Sequence, residues 1–343
     1  MKSGNGESDK EGTMENGILK EETLEASHEE LAAKRAPKGP KKSGSWAHDL
    51  VTNKWLYVMA IPVVAFFFIF NYLPMFGLIM AFEDFRPALG FFGSKWVGWQ
   101  NFADFFTMPS FWPVLRNTFV ISALGLCVSF PLTIGFALLL NEVTQIKLKK
   151  TFQTISYIPY FISTVVLCTL VREFCSSDGA ITNVLVSLTG IERQNLLSNP
   201  DYFWAINLFS DLWQGLGYGS IIFIAAISGV NPDLYEAAAM DGANRLQRVW
   251  HVTLPGILPT IVTMLVLRCG MLMSVGFDKI LLLYNEGIYS TADVISTHVQ
   301  RYGIEMGRYG YASAVGLFNS VISTIFLLVS NWVSKRAAKV AVF

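Results

Sequence analysis

Charge is what this sequence has least of. Only 15% of its 343 residues are Asp, Glu, Lys or Arg, against about a quarter in soluble domains. The shortage is concentrated in the body. Residues 1–54 hold nine Lys/Arg and ten Asp/Glu, leaving 17 and 16 for the other 289 residues, about 11% charged. That excludes an ordinary water-soluble fold, and with no basic stripe it excludes a nucleic-acid binder. Cysteine offers no framework. Cys127, Cys168, Cys175 and Cys269 lie in or beside apolar runs without a CxxC and read as small buried hydrophobes. His28, His48, His251 and His298 are scattered, so no metal centre is expected. The phosphate-cradling GxxxxGKS or GxxxxGKT loop is missing, so the chain cannot hydrolyse ATP by that route. Nor are there ten-residue segments of alternating hydropathy, which a membrane β-barrel requires.

What the sequence does have is long apolar runs. A bilayer-crossing helix needs about 20 mostly apolar residues. Six segments qualify, at about 55–81, 114–140, 152–171, 203–230, 257–284 and 311–333. Pro62, Pro74, Pro131 and Pro159 fall inside them, tolerable because neighbouring helices re-satisfy the freed carbonyls. The fold class is therefore all-α, a polytopic membrane protein with six transmembrane helices over 55–335. Residues 1–54 form a tail expected to be mostly disordered, since 1–45 is rich in Glu, Lys, Gly and Ser and nearly free of aromatics. It is too long and acidic for the n-region of a secretory signal, so the first span is expected to stay as an anchor. Residues 336–343 form a short C-terminal tail.

Lysine and arginine near the spans set the orientation. One side holds fourteen: Lys34, Arg35, Lys38, Lys41, Lys42, Lys54, Lys147, Lys149, Lys150, Arg245, Arg248, Lys335, Arg336 and Lys339. The other holds six: Arg86, Lys95, Arg172, Arg193, Arg301 and Arg308. Both termini and the 231–256 loop are thus expected in the cytoplasm of a cell whose plasma or inner membrane holds the protein.

That loop carries a pattern. Asn231 suits an N-cap, Pro232 the first helical position, and Asp233 the positive end of the helix dipole. Gly242 can take the left-handed conformation that closes the helix. A second short helix over Ala243–Thr253 follows, with Leu246, Val249 and Trp250 near one face. Leu254-Pro255-Gly256 is expected to break the chain before the fifth span. Three alanines, Ala237 to Ala239, let the first helix approach another surface closely. An ordinary connector between spans is the alternative.

The same residues resemble a family signature. Permeases of ABC importers carry a cytoplasmic loop of Glu-Ala-Ala, three residues, Gly, nine residues, then Ile-x-Leu-Pro. Here it reads Glu236-Ala237-Ala238, Gly242 and Val252-Thr253-Leu254-Pro255, with Val252 for Ile as the one departure. The likeness extends over roughly 55–335, on the carbohydrate branch of the larger maltose-type and polysaccharide permeases. Trp96-Val97-Gly98-Trp99-Gln100-Asn101-Phe102, Arg116-Asn117-Thr118, Phe136 to Glu142, Ile155 to Pro159, and Gly276 to Ile280 with Leu283-Tyr284-Asn285 all fit it. The large extracellular insertion of some maltose-type members is lacking, since no outer loop exceeds about 32 residues.

The resemblance implies a type I importer permease and a transport subunit rather than an enzyme. It would carry no cofactor of its own, ATP and Mg residing on a partner ATPase. Glu236, Ala237, Ala238, Asp241, Gly242, Leu254 and Pro255 would form the coupling loop. The implied partners are a second six-helix permease in a heterodimer, a cytoplasmic ATPase dimer and an extracellular solute-binding lipoprotein. The implied cargo is an oligosaccharide, including acidic or polysaccharide-derived ones, moved by alternating access.

Transporter sites favour interrupted spans near the midplane. The fourth span is expected to break across Asp211 to Gly219, where Trp213, Gln214 and Tyr218 suit a sugar; close helix packing through the glycines is the alternative. In the fifth span Arg268 and, further on, Asp278-Lys279 are intramembrane charges, either lining a path or pairing. Tyr284 and Asn285 are candidates at the outer mouth. An ion-coupled secondary transporter using Asp211, Arg268 and Asp278 is the rival function.

Overall fold

The computed structural model describes residues 53–337. The expected disordered tail up to residue 52, with Lys34 to Lys42, and the C-terminal Lys339 lie outside the described residues. The described chain falls into two units that divide at Pro74/Met75.

The apolar runs become helices, because only a helix satisfies its own backbone where water is absent. In the first unit α1 (Lys54–Phe67) has no buried residue and passes into a π-turn at Phe68–Tyr72. The chain then winds on as a 3-10 stretch over Leu73–Phe82. A two-strand ribbon follows, β1 (Glu83–Asp84) antiparallel to β2 (Lys95–Trp96), with Glu83 opposite Trp96. The short α2 (Gln100–Thr107) leads to the second span, built of α3 (Phe111–Leu124), a π-turn at Gly125–Ser129 and α4 (Phe130–Glu142).

The third span is α5 (Ile146–Tyr157) and α6 (Thr164–Phe174). After α7 (Ala180–Thr189) comes the fourth span, α8 (Pro200–Ser228). The loop helix α9 (Pro232–Met240) and α10 (Arg245–Arg248) precede the fifth span, α11 (Leu254–Gly270). Then α12 (Phe277–Leu283), α13 (Ile295–Val299) and the sixth span α14 (Tyr309–Ala337) complete the chain. Among the described residues four stretches are long and apolar enough to cross a membrane alone, up to six if each bent pair is one span.

Four expectations about breaks are corrected. Leu254-Pro255-Gly256 does not interrupt the chain: helix runs from Arg245 to Gly270, widened to a π-turn at Val249–Thr253. Proline cannot donate to the carbonyl four residues back, and its ring crowds that oxygen. A π-turn moves the oxygen aside. The device recurs, since Pro74, Pro131 and Pro255 each stand two residues after a π-turn. The fourth span, expected to break across 211–219, is an unbroken helix of 29 residues. The third, expected to be one run over 152–171, is instead bent by 98° after Phe161, where Pro159 tightens Ile158–Phe161 into a 3-10 turn. The fifth span ends at Gly270 rather than at 284, and α12 is separate.

Packing inside the second unit gathers into clusters. Phe130, Ala137, Phe223, Ile227 and Ile257 join the second, fourth and fifth spans. Phe105, Phe111, Val114, Tyr311 and Val315 join α2, α3 and α14. Lipid tails are as apolar as these side chains, so close packing and hydrogen bonds rather than water exclusion hold the spans together. Gly217 serves that purpose: a Cβ there would collide with the Ser156 backbone carbonyl, so α5 lies directly against α8.

Candidate functional site

The 231–256 loop is built by capping. Asn231 Oδ1 accepts from the Asp233 amide at 3.1 Å, with Pro232 in the first turn. At the other end Gly242 takes φ +79°. Its amide donates to the Ala239 carbonyl at 3.1 Å and that of Ala243 to Ala238 at 2.9 Å, the paired bonds of a Schellman stop. Asn244 then opens α10 with a reciprocal capping box to Gln247, 2.9 and 2.7 Å. Tyr235 Oη and Thr253 Oγ1 lie 3.1 Å apart, tying α9 to the π-turn at the base of α11.

Glu236, Ala237 and Asp241 are exposed, and Ala238 is half-buried. Leu254 is half-buried; Pro255 is exposed in the first turn of α11. The second helix does not end at Thr253 but runs on into the fifth span; of its expected apolar face Leu246 and Trp250 are exposed, Trp250 at 62%, and Val249 is half-buried. On α9 Leu234 and Met240 are exposed too, so the loop presents large apolar side chains to its surroundings. His251 Nδ1 sits 2.9 Å from the Gln247 carbonyl and is exposed.

The second constellation lies among the spans. Along α8, residues 207, 211, 214 and 218 repeat at four, three and four, so they share one face. Asp211 pairs with Lys279 at 2.6 Å, and Lys279 Nζ also donates to the Asn207 carbonyl at 3.0 Å. Asn207, Asp211, Arg268, Lys279 and Ser122 line one cavity of about 400 Å³. A turn along the same face, Gln214 Nε2 donates to the Ile162 carbonyl at 3.3 Å. Tyr218 stacks on Tyr160, centroids 3.7 Å apart and planes within 4°. Ile162 is the residue at which the third span breaks, so its carbonyl lacks the intrahelical donor it would otherwise have.

The sequence candidates therefore divide. Gln214, Tyr218 and Arg268 stand on the cavity side. Trp213 does not: it is on the other face of α8, in a separate and almost wholly apolar cavity of about 740 Å³ with Leu170, Phe174, Ile181, Ile206 and Phe209. Asp278 is exposed in the first turn of α12 and the neighbouring Lys279 takes the buried position. Asn285 caps a short turn, accepting from Gly287 N and donating to the Leu197 carbonyl, both at 3.0 Å. Tyr284 rests against Tyr289, centroids 5.1 Å apart. Tyr160 and Asn207 are not among the sequence candidates, and of the charged pair Asp278-Lys279 it is Lys279 that lines the cavity. Helical spacing back from Asp211 would have found Asn207; nothing in the sequence pairs Tyr160 with Tyr218.

A capped loop helix between the fourth and fifth spans fits the signature seen in the sequence. The family model described as "Binding-protein-dependent transport system inner membrane component" matches residues 129–339. The chain belongs to that family. The permease is 42% identical to Protein LplB of Bacillus subtilis (strain 168), over 86% of this chain and 93% of LplB. It is 39% identical to the polygalacturonan/rhamnogalacturonan transport system permease protein YteP of the same organism, covering 86% and 92%. Among solved structures, it is similar to a chain of a bacterial alginate ABC transporter crystallised in complex with alginate pentasaccharide-bound periplasmic protein. The TM-score is 0.80 at 39% identity, over 87% of this chain and 100% of that one. The permease is thus a multi-pass membrane subunit with the type I importer fold, a transport component whose family works with binding proteins.

Proposed function

We propose that this permease imports oligosaccharides, acidic and polysaccharide-derived ones included, by alternating access driven by ATP hydrolysis on a separate subunit. The carrying observation is the coincidence of two features at one place. The third span breaks at Ile162, and the polar face of α8 meets that break. Tyr160 and Tyr218 supply rings for sugar C–H faces. Gln214, Asn207 and Ser122 supply hydroxyl partners, and Arg268 supplies positive charge for a uronate. The acidic glycans in the names of YteP and the alginate transporter agree with that charge.

Energy enters at the other site. The exposed helix α9, with Glu236, Ala237 and Ala238 on it, is the knob that a cytoplasmic ATPase dimer grips, ATP and Mg staying on that partner. Gly242 and Asp241 set the angle between the two loop helices. The Tyr235–Thr253 contact couples a push on α9 to the base of α11, and α11 carries Arg268 into the cavity. Gly256 packs directly on Val230, where a Cβ would meet Cγ2 at 2.8 Å, so α11 and the end of α8 move as one. A second six-helix permease completes the path as a heterodimer, and an extracellular lipoprotein delivers substrate. The loop and both termini face the cytoplasm, as the basic residues demand.

Replacing Gly242 by Asp tests the coupling. Asp at φ +79° is strained and the Schellman stop loosens. The expected result is lost uptake with the protein still in the membrane and assembled. Normal ATP-dependent uptake would sink the coupling role. Uptake driven by an ion gradient without the ATPase would instead favour a secondary transporter.

A further inference from the structure

At the end of the spans opposite the Asn231–Asn244 loop lies a polar cavity that the transport path does not use. Its volume is about 360 Å³, and Ser110, Tyr289, Ser290, Asp293, Arg301 and Tyr302 line it. The cavity is built rather than incidental. Asp293 is 3% exposed; it forms an ion pair with Arg301 and accepts from Thr297 Oγ1 at 2.9 Å. Its backbone carbonyl accepts from Asn117 Nδ2 at 3.0 Å. The Arg301 guanidinium lies over the Tyr289 ring, 4.4 Å from its centroid, and 5.4 Å from that of Tyr302. Ser290, on the wall, is held from behind by Arg116, which donates to its carbonyl at 3.0 Å.

Two polar atoms at this cavity are left over. Arg301 Nη1 and Ser110 Oγ are buried with no hydrogen-bond partner among the described residues. Buried donors are otherwise almost always satisfied, and leaving one idle costs about 1–3 kcal/mol. Ser110 does not spend its hydroxyl as a cap on α3 either. We propose that this cavity is an outer-mouth subsite for one anionic pyranose of an oligosaccharide, its carboxylate taken by Arg301 Nη1 and a ring hydroxyl by Ser110 Oγ. The tyrosines make the aromatic wall. The volume admits one sugar ring with room for its links, so the subsite holds the chain end before entry rather than the whole substrate. This rests on the oligosaccharide-importer reading.

The test uses the complete importer complex in lipid nanodiscs, without nucleotide or binding protein, titrated calorimetrically with trigalacturonate and with neutral maltotriose. The wild type should bind trigalacturonate at least tenfold more tightly. Arg301→Lys keeps a charge opposite Asp293 but loses the second donor, and should weaken trigalacturonate about tenfold while leaving maltotriose unchanged. Ser110→Ala, which removes only the idle hydroxyl, should weaken both sugars severalfold. Asp278→Asn, exposed and in the lining of neither cavity, should leave this binding intact. Wild-type affinity in both cavity variants overturns the subsite, as does no preference for the acidic sugar, or loss of binding in Asp278→Asn equal to that in Arg301→Lys. ATP-dependent uptake of oligosaccharide by the same complex is measured in parallel. Its persistence alongside such a result removes the subsite only, and its absence for every sugar removes the importer reading beneath it.

Discussion

The Asp211–Lys279 pair is asymmetric, and the asymmetry is measurable. The Lys279 side chain is 8% exposed and that of Asp211 49%. Removing the carboxylate strands the ammonium where water is scarce, with the Asn207 carbonyl as its remaining hydrogen-bond partner. Stranding one partner of a buried pair costs about 3–5 kcal/mol. The cavity beside it admits some water, so Asp211→Leu should sit at the low end, about 3 kcal/mol. Lys279→Met is different. It fills the same volume, and the half-exposed carboxylate it leaves behind keeps its hydration, so the loss should be about 1 kcal/mol. The double variant replaces both charges with apolar groups, which buried pairs often tolerate without penalty. It should be no less stable than Lys279→Met, giving a coupling energy of about 3 kcal/mol. Denaturant titration of the purified complex, followed by tryptophan fluorescence for all four members of the cycle, reads this directly. If Lys279→Met costs as much as Asp211→Leu, or if the two losses simply add, the burial argument fails.

Two further outcomes follow from the packing. Gly217→Val places a branched side chain against the Ser156 backbone at the α5–α8 crossing. It should cost about 1–3 kcal/mol and part the Tyr160–Tyr218 stack, so uptake falls more than the amount of assembled protein; equal losses of both would mean a folding defect alone. Burial pushes the Asp293 carboxyl up, but the groups of His298, Arg301 and Thr297 around it, with the Arg301 charge, outweigh burial and hold it below the ordinary 3.8. A depressed carboxylate contributes stability that is complete above its unfolded value and is lost as pH falls through the folded one. The melting temperature should therefore drop more steeply below about pH 4 in the wild type than in Asp293→Asn. Parallel curves would remove Asp293 from the acid response.

Much of the loop was legible in the sequence because capping is local. Asn231, Pro232 and Gly242 act within a few residues of themselves, and each does in the structure what its chemistry requires. The breaks were not legible. Pro255 reads as a stop, yet the helix absorbs it by widening one turn, a choice made by the neighbours that hold α11 straight. The glycines of 211–219 read as an interruption. In α8 one of them, Gly217, instead serves a backbone approach from Ser156, which is invisible until α5 is seen to lie there. Trp213 sits beside Gln214 in sequence, and one residue of helical rotation sends it into a different cavity.

By itself, then, the sequence determined the solvent this protein lives in, its helical class and the capped loop, since hydropathy, charge and capping depend on composition and short spacing. Four of the apolar runs, at 55–81, 114–140, 203–230 and 311–333, coincide to within a few residues with helical stretches of the structure. Only the tertiary structure decided which polar groups meet. Asp211 and Lys279 are 68 residues apart, and Asn117 finds Asp293 across 176. Such pairings depend on the rotation and register of packed helices, set by the sum of many weak contacts that no single segment encodes.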